Sequence, residues 1–181
     1  MKNLVLGFAL ICIALGASAS DGPDYRLPAA IKPVKQLIEL NLDPSKPDYT
    51  GSTSIKLSIA EPVDRIGINQ VGLDLVSVEL RSGEGTRILE ASDDEWERSW
   101  LADGNAIAPG NYTLQIDFSG SYSTDGLGMH RARFEDNDYI FTQLEAMYAR
   151  RAFPSFDEPA FKVPFQLVIN TPDDLTVAAN T

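Results

Sequence analysis

The residue types that most often carry catalysis or bind metal ions are scarce in this chain of 181 residues. It contains one histidine, His130, and one cysteine, Cys12. A tetrahedral zinc site needs three or four such ligands, and a disulfide needs a second cysteine. The chain can therefore build neither feature from these residues, and we predict that it binds no metal ion.

His130 and Ser155 are the remaining candidates for acid–base or nucleophilic chemistry. Imidazole is a common general base at neutral pH. No G-x-S-x-G motif, which would expose an activated serine on a sharp turn, surrounds any serine of the chain, and Ser155 lies in Phe153–Phe156 without flanking glycines. We expect both residues to be structural and predict no catalytic residue in this chain.

Two acidic runs could suggest calcium binding. The run Glu135–Asp138 lacks the glycine and the distal glutamate of an EF-hand loop, so we predict a solvated turn before a strand at 139–142. The run Asp93–Glu97 is predicted to be a charged, exposed loop.

The overall charge excludes two classes of partner. With 26 acidic and 15 basic side chains, the formal net charge is -11 and the pI is about 4.4. Nucleic-acid phosphates and anionic membrane surfaces both bind through clustered Lys and Arg. We therefore expect no nucleic acid among the partners, and no membrane binding through basic patches.

The amino terminus has the composition of a secretory signal. One lysine precedes the apolar run Leu4–Leu15, and Ala17–Ala19 supplies small residues at the cleavage site. A membrane span needs about 20 apolar residues, and this run is shorter. We predict a signal peptide at residues 1–19 and an exported mature chain at 20–181, periplasmic or extracellular, with no membrane span after cleavage.

Apolar and polar residues alternate with a period of two in four segments of the mature chain. Such alternation is typical of strands with one buried face, and clusters of Gly, Pro, Asn and Asp separate the segments. No long 3.6-residue periodicity with caps is present, so any helices are short. The sequence predicts an all-β fold, a mostly antiparallel β-sandwich or saddle of roughly ten short strands. The predicted core residues of these segments are Ile38, Leu40 and Leu42; Ile55, Leu57 and Ile59; Val76, Val78 and Leu80; and Tyr112, Leu114, Ile116 and Phe118.

Three motifs follow one another near the carboxyl end of the chain. They are Thr-Gln-Leu-Glu at 142–145, Ala-Arg at 149–150 and Phe-Pro-Ser-Phe-Asp-Glu-Pro-Ala at 153–160. Together they resemble the amino-terminal domain of the aminopeptidase-N-like zinc metallopeptidases, the gluzincin group. Weaker matches upstream extend the resemblance to about residues 25–181. The resemblance implies a β-saddle domain over the mature chain, in agreement with the alternation.

The resemblance also implies roles for two residues of the first motif. Gln143 would line the pocket for the first side chain of a peptide substrate, and Glu145 would hold the free amino group. A peptide α-amine has a pKa near 7.7–8.0 and is largely cationic at neutral pH, so a fixed carboxylate can pair with it. At about 4 Å and an effective dielectric near 20, the Coulomb energy of such a pair is about 4 kcal/mol before desolvation. The alternative is a structural Glu145 that pairs with Arg150 or Arg151.

Other matched positions are expected to be architectural. The adjacent carboxylates Asp157 and Glu158 could suggest acid–base chemistry. The resemblance instead implies that their segment shapes the junction with a catalytic domain. We predict that both carboxylates hydrogen-bond to neighbouring backbone or to Arg150. Ser155 stands where the family often has cysteine.

The catalytic motifs of the family, H-E-x-x-H and G-A-M-E-N, are not among the 181 residues. The resemblance therefore implies the amino-terminal part of an exported zinc aminopeptidase, with zinc held by a catalytic domain that this sequence lacks. Its partners would be that domain and peptides with a free amino terminus, and the chain alone would be inactive. The alternative is a stand-alone secreted β-sandwich that binds peptides or another protein without catalysis.

Overall fold

The computed structural model describes residues 25–179, and the predicted signal peptide lies outside this range. Within the range the chain forms eleven β-strands and one short 3-10 helix, which confirms the predicted all-β class. Between Tyr25 and Ala179, no helix is long and apolar enough to cross a membrane. The strands are β1 Ile31–Asn41, β2 Asp48–Ile59, β3 Ile66–Asn69, β4 Leu73–Ser82, β5 Gly85–Ile88, β6 Glu90–Asp93, β7 Arg98–Ala102, β8 Gly110–Ser121, β9 Gly128–Phe134, β10 Asn137–Gln143 and β11 Phe165–Asn170, with the 3-10 helix at Ala149–Arg151.

The strands form three sheets. A six-stranded sheet has the order β11-β1-β2-β8-β4-β5, a three-stranded sheet the order β3-β7-β6, and β9 pairs with β10 alone. The central strands β2 and β8 pair over their full length, from Asp48 opposite Ser121 to Ile59 opposite Gly110. All pairs are antiparallel except β1 with β11, so the sheet is mixed at one edge.

One face of the six-stranded sheet carries the apolar core, in two adjoining clusters. The first cluster joins this sheet to the three-stranded sheet, and the second joins it to the β9–β10 hairpin and to the segment after the 3-10 helix. The hairpin is thus held on the body of the domain by one of its two faces. The first cluster includes Ile55, Leu57, Leu114, Ile66, Ile68 and Leu101, and the second includes Ile38, Leu40, Phe118, Met129, Ala152 and Phe153.

All of the predicted core residues are buried except Val76 and Tyr112. Val76 is 71% exposed, so its predicted burial is wrong. The cause is a β-bulge, because the pairing of β4 with β8 shifts between Leu75 and Ser77. The extra residue changes the face on which the side chains lie. Tyr112 is only partly buried, and its hydroxyl donates to the Ala108 carbonyl at 2.9 Å.

Candidate functional site

The β9–β10 hairpin positions the first residue of the predicted site. The predicted acidic turn joins the two strands, and the pairing ends with Gln143 opposite Gly128. One face of the hairpin packs on the core through Met129 and Ile140. Because successive side chains of a strand alternate between faces, Gln143 lies on the opposite, exposed face. The end of β10 therefore presents the Gln143 amide away from the core.

The segment after β10 presents Glu145. Leu144 packs against the second core cluster, whereas Glu145 is exposed. The Tyr148 amide donates to the Leu144 carbonyl at 3.0 Å, which closes a turn just before the 3-10 helix. The peptide bond between Glu145 and Ala146 is cis. Gln143 and Glu145 thus lie on either side of a partly buried leucine, and both are exposed to solvent.

A glycine allows the 3-10 helix to approach the end of the hairpin. Gly128, the partner of Gln143, has a φ of +68°, a conformation that favours glycine. A Cβ atom there would lie 2.6 Å from the Cβ of Arg151, closer than side chains approach. Glycine is needed at this position both for its backbone conformation and for the room it leaves.

The Glu145 carboxylate has no partner in the described protein. Arg150 pairs with Asp157 at 3.0 Å and with Glu97 at 3.2 Å, and Arg151 pairs with Asp125 at 3.0 Å. Among residues 25–179, no hydrogen bond or ion pair to the Glu145 side chain is found. Among residues 25–179, Glu145 therefore pairs with neither arginine, and both cations have other carboxylate partners. An exposed carboxylate remains that can accept hydrogen bonds from a cationic ligand.

Arg150 anchors the segment that follows. Its side chain is buried; Nε donates to Asp157 Oδ2, and Nη2 donates to the Asp157 carbonyl at 2.7 Å. The Arg150 amide also donates to Asp157 Oδ2 at 3.2 Å. Glu158 Oε1 accepts from the Leu27 amide at 2.6 Å. These contacts confirm the predicted hydrogen bonds of Asp157 to Arg150 and of Glu158 to the backbone.

The anchoring involves residues that the sequence did not connect with the three motifs. Asn69, the last residue of β3, exchanges two backbone hydrogen bonds with Ser155, and its side-chain oxygen accepts from the Asp157 amide at 3.0 Å. Glu97 contributes the second carboxylate to Arg150. These partners are separated from the motifs by more than 50 residues, as between Glu97 and Arg150. No local sequence pattern could have paired them.

The loop at Asp93–Glu97, predicted to be charged and exposed, also forms ion pairs with arginines. It lies at the surface, but Asp94 pairs with the buried Arg98 at 2.8 Å and accepts from Trp100 Nε1 at 2.9 Å. Burial alone would raise the pKa of Asp94, but the hydrogen bonds from Arg98 and its other donors lower it overall. Carboxylates of this loop pair with two buried arginines. One is Arg98, the first residue of β7, and the other is Arg150, beside the candidate site.

A buried tyrosine fixes the far end of the 3-10 helix. Tyr49 Oη donates to the Ala152 carbonyl at 2.9 Å and lies 3.3 Å from the Arg151 carbonyl. Burial raises the pKa of Tyr49 well above its ordinary value, so the hydroxyl stays protonated as a donor. The turn at Gln143 and Glu145 is thus held at one end by β10 and at the other by Arg150 and Tyr49.

His130 and Ser155, the other candidates, have polar side-chain atoms that are packed inside the domain. His130 lies opposite Phe141 with the rings stacked at 5.5 Å, and its Nδ1 is buried without a hydrogen-bond partner in the described part of the chain. The Ser155 hydroxyl is likewise buried and unpartnered there. Across residues 25–179, no group of three or more His, Cys, Asp or Glu residues could hold a metal ion. The residues present do not fit the zinc that the resemblance implies for the parent protein.

Comparison with known proteins gives the family of the chain. Residues 30–181 match the model of the Peptidase M1 N-terminal domain. Aminopeptidase N of Acetobacter pasteurianus is 31% identical over 160 residues, which cover 86% of this chain and 44% of that protein. Aminopeptidase M1-B of Oryza sativa subsp. japonica is 27% identical over 161 residues, and Aminopeptidase N of Bos taurus is 29% identical over 175 residues. Each of these two matches covers 86% of this chain and 18% of the relative.

These relatives are all aminopeptidases by name, and the chain spans less than half the length of each. The matched region includes the hairpin, the Glu145 turn and the Arg150 anchor. The family match also agrees with the all-β fold of the described residues. The chain belongs to the family of peptidase M1 N-terminal domains.

Proposed function

We propose that the chain is the substrate-amine-recognising part of an exported zinc aminopeptidase that hydrolyses amino-terminal residues from peptides. The observation that carries the proposal is the state of Glu145, an exposed carboxylate without a partner among residues 25–179, while the two nearby arginines are paired elsewhere. Gln143 lies two residues before it and is also exposed.

The chemistry of an exopeptidase suits this arrangement. A free α-amine is mostly cationic at neutral pH, and an acetylated or internal amide nitrogen carries no charge. A carboxylate that is free of internal ion pairs gains a charge-assisted hydrogen bond from the amine without first giving up another partner. Glu145 would therefore select chain ends, and the neutral Gln143 amide would contact the adjoining side chain.

Selection of a chain end also requires a carboxylate that is held in place. A mobile glutamate would pair with the amine at many distances from the scissile bond, and positioning would be lost. The β10 ladder, the Tyr148–Leu144 hydrogen bond and the Arg150 ion pairs support a fixed position for Glu145. Leu144, which lies between the two site residues in the chain, is partly buried and adds an apolar contact with the second core cluster.

Hydrolysis itself would belong to the rest of the parent protein. Zinc, when bound in that domain, would activate a water molecule for attack on the peptide bond. The described chain would contribute binding and orientation of the amine, and we expect the isolated chain to be inactive and to hold no stoichiometric zinc. Export would follow from the signal peptide at residues 1–19.

The test is Glu145→Ala in the full-length enzyme with aminoacyl p-nitroanilides as substrates. We expect KM to rise by roughly ten- to hundredfold, the usual effect of losing a hydrogen bond to a charged group. Zinc content should not change. Glu135→Ala, which removes an exposed carboxylate at the opposite end of the same hairpin, is the matched control and should leave KM as it is. Unaltered kinetics in Glu145→Ala would return this residue to a structural role.

Sequencing of the coding DNA beyond Thr181 tests the proposal that the chain is part of a longer zinc aminopeptidase. We expect it to continue into G-A-M-E-N and H-E-x-x-H motifs. An authentic stop codon would instead favour the stand-alone binding module.

A further inference from the structure

A row of aromatic rings leads along the exposed face of the β9–β10 hairpin to Gln143. Phe141 stacks on Tyr139 with ring centroids 6.2 Å apart and on His130 at 5.5 Å, with interplanar angles of 24° and 25°. Phe141 is nevertheless 50% exposed, and Tyr139 is 42% exposed. The Phe141 ring is thus held by a ring on either side and still leaves apolar surface open to solvent.

This row is not part of the domain core. The opposite face of the hairpin already packs on the second core cluster through Met129 and Ile140. Exposed rings that a core does not use commonly mark binding surfaces.

The register of the hairpin places Phe141 beside the candidate site. Phe141 and Gln143 are two residues apart on one strand, so their side chains share a face about 7 Å apart. His130 lies directly opposite Phe141. A ligand side chain that touches the Gln143 amide is therefore within reach of the Phe141 ring.

The charges around the row favour one kind of ligand. The charged hairpin residues Arg131, Arg133 and Asp138 alternate onto the other face, and Arg133 pairs there with Asp138 at 3.5 Å. In the paired strands the aromatic face carries no Asp, Glu, Lys or Arg side chain, and Glu145 follows two residues after Gln143. Arg151 lies against Gly128 at this end of the face, and its charge is already paired with Asp125 at 3.0 Å. An apolar surface beside the unpaired Glu145 carboxylate is complementary to an apolar side chain next to a cationic amine.

We propose that Phe141 forms an aromatic wall for the side chain of the first substrate residue, and that the parent enzyme therefore favours peptides with an aromatic amino-terminal residue. The inference rests on the proposed function, because Glu145 must hold the amine for that side chain to reach Phe141. Aromatic pairs stack in offset or edge-to-face geometry, which adds to the gain from burying apolar area. Tyr139 and His130 are positioning residues that fix the Phe141 ring.

The experiment compares phenylalanyl and alanyl p-nitroanilides in the full-length enzyme. In Phe141→Ala, the ratio of kcat/KM for the phenylalanyl over the alanyl substrate should fall by roughly three- to tenfold. Phe165→Ala, which removes another exposed ring, on the edge strand β11, should leave the ratio unchanged. A second variant, Phe141→Leu, retains an apolar side chain without a ring and can be used if the alanine variant does not fold. It should reduce the ratio of kcat/KM for the phenylalanyl over the leucyl substrate.

Three results would overturn the inference, and they differ from one another. A ratio within twofold of wild type in both Phe141 variants would show that the ring does not contact the substrate. Equal loss of activity on both substrates, with a lower melting temperature of the full-length enzyme, would show that this face packs against the rest of the chain. Unchanged KM in Glu145→Ala would refute the proposed function itself, and the inference with it.

Discussion

The buried face of the six-stranded sheet and the exposed face of the β9–β10 hairpin use apolar residues in opposite ways. Ile55 and Leu114, on the central strands of the sheet, are completely buried, whereas Phe134 and Phe141 on the hairpin are at least half exposed. Buried apolar groups stabilise the fold, and exposed ones are available for binding. The same class of side chain therefore supports the domain in one region and forms a candidate recognition surface in the other.

The largest expected difference in the free energy of unfolding is between substitutions in these two regions. Leu114→Ala should reduce the free energy of unfolding by about 4 kcal/mol, because it leaves a cavity between two sheets. Phe141→Ala should cost less than about 1 kcal/mol, since half of the ring is already in water. Urea denaturation of both variants measures the difference. Similar losses would mean that the hairpin ring is as much a core residue as Leu114.

A second contrast concerns two adjacent arginines. Arg150→Ala should cost about 3 kcal/mol, because it leaves the largely buried Asp157 and the more exposed Glu97 without their cation. Arg151→Ala removes a solvent-exposed pair with Asp125 and the contact of the guanidinium with the Tyr148 ring, and should cost less than about 1 kcal/mol. Thermal unfolding of the two variants compares buried and exposed pairing at neighbouring positions. An equal effect would show that Arg150 does not anchor the Glu145 segment.

The smallest effect concerns Tyr49, which joins the six-stranded sheet to the Glu145 segment. Tyr49→Phe should cost about 1 kcal/mol at neutral pH through loss of the hydrogen bond to the Ala152 carbonyl.

This effect of Tyr49 should depend on pH. Burial raises the folded-state pKa above the unfolded value near 10, so the folded protein retains a proton that the unfolded chain releases. The stabilisation by Tyr49 is therefore complete below about pH 10 and declines above it. Chemical denaturation at pH 8 and at about pH 11 should show the gap between wild type and Tyr49→Phe narrowing. A constant gap would mean that Tyr49 ionises alike in both states.

The sequence anticipated features that depend on local order. The alternation in β1, β2 and β8 predicted which side chains are buried, because a strand places every second residue on one face. It failed at Val76, because a β-bulge in β4 is decided by pairing with β8 and leaves no local signal. The Thr142–Glu145 motif marked the candidate residues through resemblance and could not show whether Glu145 was already paired.

The all-β class, the predicted core faces and the acidic charge were determined by the sequence itself, because composition and period-two alternation are properties of neighbouring residues. The long-range ion pairs were decided only by the tertiary structure. Besides the nearby Asp157, Arg150 pairs with Glu97, Arg151 pairs with Asp125, and Glu145 remains exposed. Glu97 and Asp125 lie 53 and 26 residues from their arginines, and folding alone brings such charges within the few ångströms over which an ion pair forms.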